Sequence, residues 1–388
     1  MFRYLPIFLL APLLLIAADD KGKTSPKEDG FVPLFDGKTL KGWVPVNAAP
    51  DTFFVKDGML VTTGVPTGFL RTEKRYENFI LECEYMHMKP KGNSGIFVWA
   101  DPLPAVGTPF TRAIEVQVLD GLETKNYTSH GDVFAIWGAK FVPDREHPGG
   151  WMRCLPSEKR AKPAGEWNHY RIECNDGTIK LAVNGKVVSG GTRSNPRFGY
   201  IALEAEGSEC RYRNLRLKEL PSTKPKPEES CPESKGHETL FTGVNLKGWT
   251  TREPTAWKVN AGANTLAHTG KGAGQLTSEA SFGNYELQID VKPSKGSTAA
   301  IGNREAPTTA YPLPLAAADA GKWVRLSIVA RGDTMEIYRE SKLVGSGRAT
   351  GKVPARGPVV LITEGPVEFT NLFIRPLKAE ERPKDGVK

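Results

Sequence analysis

The chain carries one pattern twice, and few folds accept that. Phe35-Asp-Gly-Lys-Thr-Leu-Lys-Gly-Trp43 returns as Phe241-Thr-Gly-Val-Asn-Leu-Lys-Gly-Trp249. The register then holds, with Tyr76-Glu-Asn-Phe-Ile-Leu-Glu-Cys-Glu84 matching Phe282-Gly-Asn-Tyr-Glu-Leu-Gln-Ile-Asp290. Near the end of each copy, Gly165-Glu-Trp-Asn-His-Tyr-Arg-Ile172 answers to Gly321-Lys-Trp-Val-Arg-Leu-Ser-Ile328, and Tyr212-Arg-Asn-Leu-Arg-Leu217 to Phe369-Thr-Asn-Leu-Phe-Ile374. Two copies of one scaffold therefore share the chain. Their tryptophans Trp167 and Trp323 stand closer together than Trp43 and Trp249, so the second copy lacks roughly 50 residues from its middle.

The scaffold is all-β. With 40 Gly and 30 Pro among 388 residues, short β-branched and aromatic runs alternate with turn residues, and no long stretch has apolar residues at helical spacing. Asp57-Gly58 and Asn184-Gly185 each sit between two apolar runs and mark hairpins. About a dozen short strands per full copy imply two packed sheets. The expected division is residues 1–18, leader; 19–30, charged lead-in; 31–218, first sandwich; 219–236, linker; 237–377, smaller second sandwich; and 378–388, tail.

The leader has one early positive charge, an apolar run from Leu5 to Ile16 too short to span a bilayer, and small residues at Ala17-Ala18. This is a secretory pattern, which implies a periplasmic or secreted protein. The five cysteines match no metal-binding spacing; Cys83, Cys174 and Cys210 read as small buried side chains in strands. Cys231, in the Pro- and charge-rich linker, is expected in a mobile segment. Net charge is +8, but Lys and Arg are scattered, so no nucleic-acid partner is expected. Contact with a cell-surface glycan through the second copy is compatible with the basic charge; oligomeric state leaves no sequence signal.

The segment missing from the second copy is where a site is expected, because a fold needs its core strands in both copies whereas a site can be lost from one. It contains Arg112-Ala-Ile-Glu-Val-Gln-Val-Leu-Asp120, whose alternation puts Ile114, Val116 and Val118 on one face and Ala113, Glu115, Gln117 and Leu119 on the other. A carboxylate and an amide in mid-strand cost several kcal/mol each if buried without partners. That face is either solvated or meets a ligand or metal. A long irregular segment from Gly121 to Pro163 follows, bearing Asn126, Tyr127, His130, Asp132, Trp137 and Trp151, with the length of a binding or lid loop. Asn93 and Ser94 stand at a strand entry, within reach of a groove. Glu84 lies on one face of the Phe79–Met88 run; His87, sharing a face with Leu81 and Tyr85, reads as structural. Trp99, Trp137 and Trp151 are core residues or sugar-stacking platforms, with Trp99 assigned to the core.

Taken in order, Phe35-Asp-Gly…Leu40-Lys-Gly-Trp43, Asn93-Ser-Gly-Ile96, Glu115-Val-Gln-Val-Leu-Asp120, Glu166-Trp-Asn168, Asn184-Gly185 and Tyr212-Arg-Asn-Leu-Arg216 resemble the 3-keto-disaccharide hydrolase domain family over residues 31–218. The second copy resembles a degenerate form. The resemblance implies tandem concanavalin A-like jelly rolls and cleavage of a glycosidic bond in a sugar already oxidised at C3. A 3-keto group acidifies the C2 hydrogen, so a base removes it, the aglycone leaves by elimination and water adds. On this reading Glu115 is the base and Glu84 or His130 protonates the leaving group. Gln117, Asn93, Ser94 and Trp137 bind the substrate; Asp120 orients His130, holds the substrate or takes a divalent cation, the one cofactor left open. Jelly-roll glycosidases often carry Glu-x-Asp-x-x-Glu on this strand; Gln117 and Leu119 stand there instead, which argues against double displacement. The competing reading is a non-catalytic carbohydrate-binding or cell-surface pair. Convergence of Glu84, Glu115, Asp120 and His130 in one pocket is what the enzyme reading predicts.

Overall fold

Turn chemistry sets the strand register. Asp57 and Gly58 adopt φ of 50° and 75°, and Asn184 and Gly185 of 46° and 88°, the left-handed pair that a two-residue hairpin requires. They join Phe53–Lys56 to Met59–Thr62 and Thr178–Val183 to Lys186–Asn195. The computed structural model describes residues 30–120, 130–271, 274–303, 310–349 and 353–378. The leader, most of the lead-in, Asn126, Tyr127 and nearly all of the tail lie outside the described residues. Among those described, the helical pieces are short 3₁₀ turns at Pro227–Glu229, Pro254–Ala256 and Ala317–Asp319.

The first half forms a nine-stranded and a seven-stranded antiparallel sheet packed face to face. In the larger, Phe79–His87 lies between Asn168–Asn175 and Cys210–Glu219. In the smaller, the order runs Arg153–Cys154, Val133–Ile136, Ala113–Leu119, Asn93–Ala100, Tyr200–Ala205, Gly68–Thr72, Trp43–Val46. Alternate residues of both sheets, among them Leu81, Tyr85, Ile114, Val116, Tyr170 and Leu203, fill one core. The stretch after Gly121 is less irregular than the sequence implies, since Val133–Ile136, Lys140–Pro143 and Arg153–Cys154 extend both sheets.

The second half repeats this plan with an eight-stranded and a five-stranded sheet around its own core. The repeat is kept down to its irregularities. A bridge between Tyr76 and Gly199 is matched by one between Phe282 and Gly357. Asn214 and Asn371 both take left-handed φ, 53° and 54°, at register shifts in the last strands. The place held by Ala113–Leu119 in the first copy is taken in the second by the three residues Ala310–Pro312.

Polar bonds around Asn371 and an apolar patch dock the two sandwiches. The Asn371 amide donates to the Ala105 carbonyl at 3.0 Å and to Asp290 at 2.7 Å, and accepts from Asn47 Nδ2 at 2.7 Å. Phe373 packs into a patch of the first sandwich that includes Val46, Phe69, Phe97, Ala113 and Tyr200. The linker is not free either. Ser230 bridges to Phe198, Arg75 donates to the Cys231 carbonyl at 2.8 Å, and the Tyr200 hydroxyl accepts from the Ser234 amide at 2.8 Å. Cys231 is thus buried rather than exposed, with its thiol 3.0 Å from the Trp99 carbonyl, and all five cysteines are unbridged. Asn371→Ala leaves buried acceptors unpaired and should destabilise the docked second sandwich by about 1–3 kcal/mol in denaturant unfolding. An unchanged transition would contradict this role.

Candidate active site

All seven residues of Ala113–Leu119 are buried. Ile114, Val116 and Val118 enter the core as their alternation requires. Glu115 and Gln117, on the opposite face, are only 6% and 5% exposed, so the solvated alternative fails. What they meet comes from the two strands beside them. Asn93–Ala100 pairs Phe97 with Glu115 and Gly95 with Gln117, and Tyr200–Ala205 pairs Leu203 with Ile96 on its other side. Gly95 lies between two carboxyl groups. A Cβ at this position would stand 2.9 Å from Glu115 Oε1 and 3.0 Å from Glu204 Oε2. Only a residue without a side chain leaves room for both.

A second row lies beside the first. Gln117 Nε2 donates to Asn93 Oδ1 at 2.7 Å, and Asn93 Nδ2 donates to Glu206 Oε2. Glu115, Glu204 and Glu206 thus share one face. Burial, then the negative charge of Glu206, pushes the Glu115 carboxyl up to about 8, against the pull of Arg153. Burial, then Glu115 and Glu206, holds Glu204 well above the usual carboxylate range, and burial raises Glu206. Glu204 Oε2 has no hydrogen-bond partner. Arg153, the flanking cation, bonds Asp132 at 2.6 Å and covers the Phe134 ring at 3.9 Å. At neutral pH such a group retains protons while one member titrates nearby, which supplies an acid and a base on one surface.

The remaining candidates lie elsewhere, and the expected convergence of Glu84, Glu115, Asp120 and His130 does not occur, so that set does not carry the enzyme reading. Among the described residues, an acid and base on this sheet can come only from Glu115 with the neighbours Glu204 and Glu206. Glu84 is on the other sheet, where Arg213 Nε and Asn214 Nδ2 each donate to its Oε2 at 2.7 Å. Its counterpart Asp290 is held in the same way by Asn371 and Arg325, at 2.7 Å each, so Glu84 belongs to the scaffold. His130 points between the sheets: Nδ1 is 2.9 Å from the Tyr85 hydroxyl, Nε2 is 3.6 Å from Asp120 Oδ1, and burial lowers its pKa to about 4. Asp120 caps the Lys91 amide at 3.2 Å, at the strand end and away from Glu115. Ser94 faces the core, its hydroxyl donating to the Glu204 carbonyl and 2.7 Å from the Tyr212 hydroxyl, so no groove reaches it. His87 bonds the Val118 carbonyl at 2.9 Å and is structural; Trp99 is fully buried. Trp137 is half-exposed and stacks on Phe110 beyond the Arg112 end of the strand. Gln117 and Asn93 are the binding candidates that do join Glu115. Among the described residues no group of three or more His, Cys, Asp or Glu is arranged to hold a metal.

Glu204 and Glu206 were not singled out in the sequence. One signal for Glu204 was present there. Gly199 and Gly357 occupy the same bridge, which aligns Glu204 with Ile362 and Glu206 with Glu364; only Glu204 is lost.

Raised carboxyls leave a signature in stability. Glu115 moves from 4.5 to about 8, so the folded state holds this proton more tightly than the unfolded chain. The stability so gained is complete below about pH 4.5 and is lost as pH rises through about 8. Glu115→Gln carries no such proton, and its unfolding free energy should fall less between about pH 5 and 9. Equal pH slopes for variant and wild type would contradict the assignment.

Comparison with known proteins fits this geometry into a family. Residues 30–218 and 236–309 match the family described as 3-keto-alpha-glucoside-1,2-lyase-like domain. A 3-keto-disaccharide hydrolase of Bacteroides thetaiotaomicron is 30% identical over 242 residues, 50% of this chain and 79% of that protein. A crystal structure from Parabacteroides distasonis ATCC 8503, described provisionally as a glycosyl hydrolase, shares 21% identity at a TM-score of 0.40, covering 50% of this chain and 94% of its own. The carbohydrate-binding module CBM66 of Bacillus subtilis shares 12% at a TM-score of 0.33, covering 46% and 95%. With a match that takes in more than half of the chain and enters both sandwiches, the protein belongs to the 3-keto-alpha-glucoside-1,2-lyase-like domain family.

Proposed function

We propose that the protein is an exported enzyme that cleaves the glycosidic bond of 3-keto-disaccharides or 3-keto-glycosides. The observation that carries this reading is the pair of buried carboxyls that meet over Gly95, both raised above the usual carboxylate range by burial first and then by their acidic neighbours. Glu115 takes the C2 proton, and the electron pair of that C–H bond passes into the enolate of the 3-keto group. The enolate then expels the C1 oxygen, Glu204 delivers a proton to the departing alcohol, and water adds across the resulting double bond. Gln117, Asn93 and Glu206 supply amide and carboxyl groups for the sugar hydroxyls. A base works best with a pKa near the operating pH, and burial brings Glu115 there.

The family description as lyase-like and the hydrolase name of the Bacteroides relative support this two-stage route. Export rests on the leader pattern of residues 1–18, and the scattered basic charge supports a sugar rather than a nucleic acid as partner.

Incubation of the purified chain with 3-keto-trehalose or 3-keto-lactose should release reducing sugar. The apparent kcat/KM should rise with pH through about 8, because Glu115 must be ionised to accept a proton. Glu115→Gln should lose about 10²–10⁴ in kcat. A Glu115→Gln variant as fast as wild type would place the base elsewhere, and no release by wild type would contradict the reaction.

A further inference from the structure

Between the two sandwiches and the linker lies a half-open cavity of ≈ 610 Å³ that Glu115, Glu204 and Glu206 do not line. Its size lies within the range of small-molecule sites. Both halves of the chain build it: Trp137 and Arg112 stand on one wall, His237, Gln288 and Arg325 on another. Neither half could form it alone.

Three features define what it would accept. Trp137 is 50% exposed, and its ring stacks on Phe110 at 6.3 Å and 13°, which fixes an aromatic platform at the cavity wall. Flat faces of this kind take the C–H face of a sugar ring. Most charges of the wall are matched: Arg112 grips Asp101 through two bonds at 3.0 and 2.8 Å, Arg325 grips Asp290 at 2.7 and 2.8 Å, Arg375 bonds Glu286 at 2.7 Å and Arg75 bonds Glu233 at 2.9 Å, while the two other charged lining residues, Lys235 and Glu340, are of opposite sign. The wall thus offers no excess of either sign to hold an ion, and a neutral ligand leaves the buried pairs intact. Lastly, His237 Nε2 and Gln288 Nε2, on side chains of the cavity wall, are buried without a hydrogen-bond partner. Leaving buried polar groups unpartnered is costly, and a ligand rich in hydroxyls would offer them partners.

We propose that this inter-sandwich cavity is a second, non-catalytic binding site for a neutral sugar, with Trp137 as its stacking platform and Gln288 and His237 as its hydrogen-bonding wall. The site stands apart from the carboxyl pair and does not depend on the reaction proposed for it. It gives the docked second sandwich a part in ligand binding that its own degenerate sheet no longer offers.

The test titrates the full-length Glu115→Gln chain with trehalose, lactose, maltose and cellobiose, none of which carries a 3-keto group, by calorimetry and tryptophan fluorescence. At least one should bind. In the same background Trp137→Ala and Gln288→Leu should each weaken it by about tenfold, and Trp137→Phe should recover part of the loss. Because Trp137 is half-exposed, its substitutions keep the fold, and unchanged melting confirms it. Absence of binding to all four sugars, or equal affinity in Trp137→Ala, overturns the proposal. Binding seen in wild type but lost in Glu115→Gln also overturns it, by placing the sugar at the carboxyl pair. Cleavage of a 3-keto sugar reports on the carboxyl pair separately, so the two readings fail independently.

Discussion

The rest of the first sandwich is arranged so that two carboxyl groups can meet over the bare backbone of Gly95. Burying one carboxylate is costly; burying two side by side is tolerable only if they hold protons between them. The sheet provides the conditions. Ile114, Val116 and Val118 anchor one strand to the core, Ile201, Leu203 and Ala205 anchor the other, and alternation sends Glu115 and Glu204 to the opposite face. Between them a glycine removes the side chain that would keep them apart. The chemical character of the site thus follows from strand register and one missing Cβ.

Comparison of the two copies separates scaffold from site. Glu84 and Asp290 play the same structural part, each held by a left-handed asparagine and an arginine, so their presence in both copies marks them as architecture. The strand register puts Ala310 of the shortened second sheet where Glu115 stands in the first, and Glu204 is replaced by Ile362. What the second sandwich retains is its core and the outer surface that docks onto the first. Phe373 and Asn371 bury themselves against the face that Glu115 shares, toward its Ala113 end. A copy that has lost the acidic pair has become a partner for the sheet that keeps it.

Much of the fold was legible in the sequence, because turns and alternation are local. Asp57-Gly58 and Asn184-Gly185 fold as their residue types demand, and the repeated motifs fold alike. The face of Glu115 and Gln117 was legible for the same reason. The rest depended on contacts between distant strands. Glu204 reaches Glu115 only because Asn93–Ala100 lies between their strands. His130, which looked like a loop catalyst, finds Tyr85 across the core, and Ser94 finds Tyr212. Cys231 looked mobile in a Pro-rich segment, yet the surface of the first sandwich binds that segment through Arg75, Phe198 and Tyr200. Equivalence to Asp290 was the one clue that would have moved Glu84 out of the site, and it was already in the repeat.

The central claim is that Glu115 is a carboxyl held near neutrality by burial beside its acidic neighbours. Carbon-13 NMR of glutamate side-chain carboxyls, recorded across a pH titration of the folded chain, measures this directly. One resonance should titrate near pH 8 in wild type and be missing in Glu115→Gln. A spectrum in which every glutamate carboxyl titrates at or below about pH 5 would contradict it.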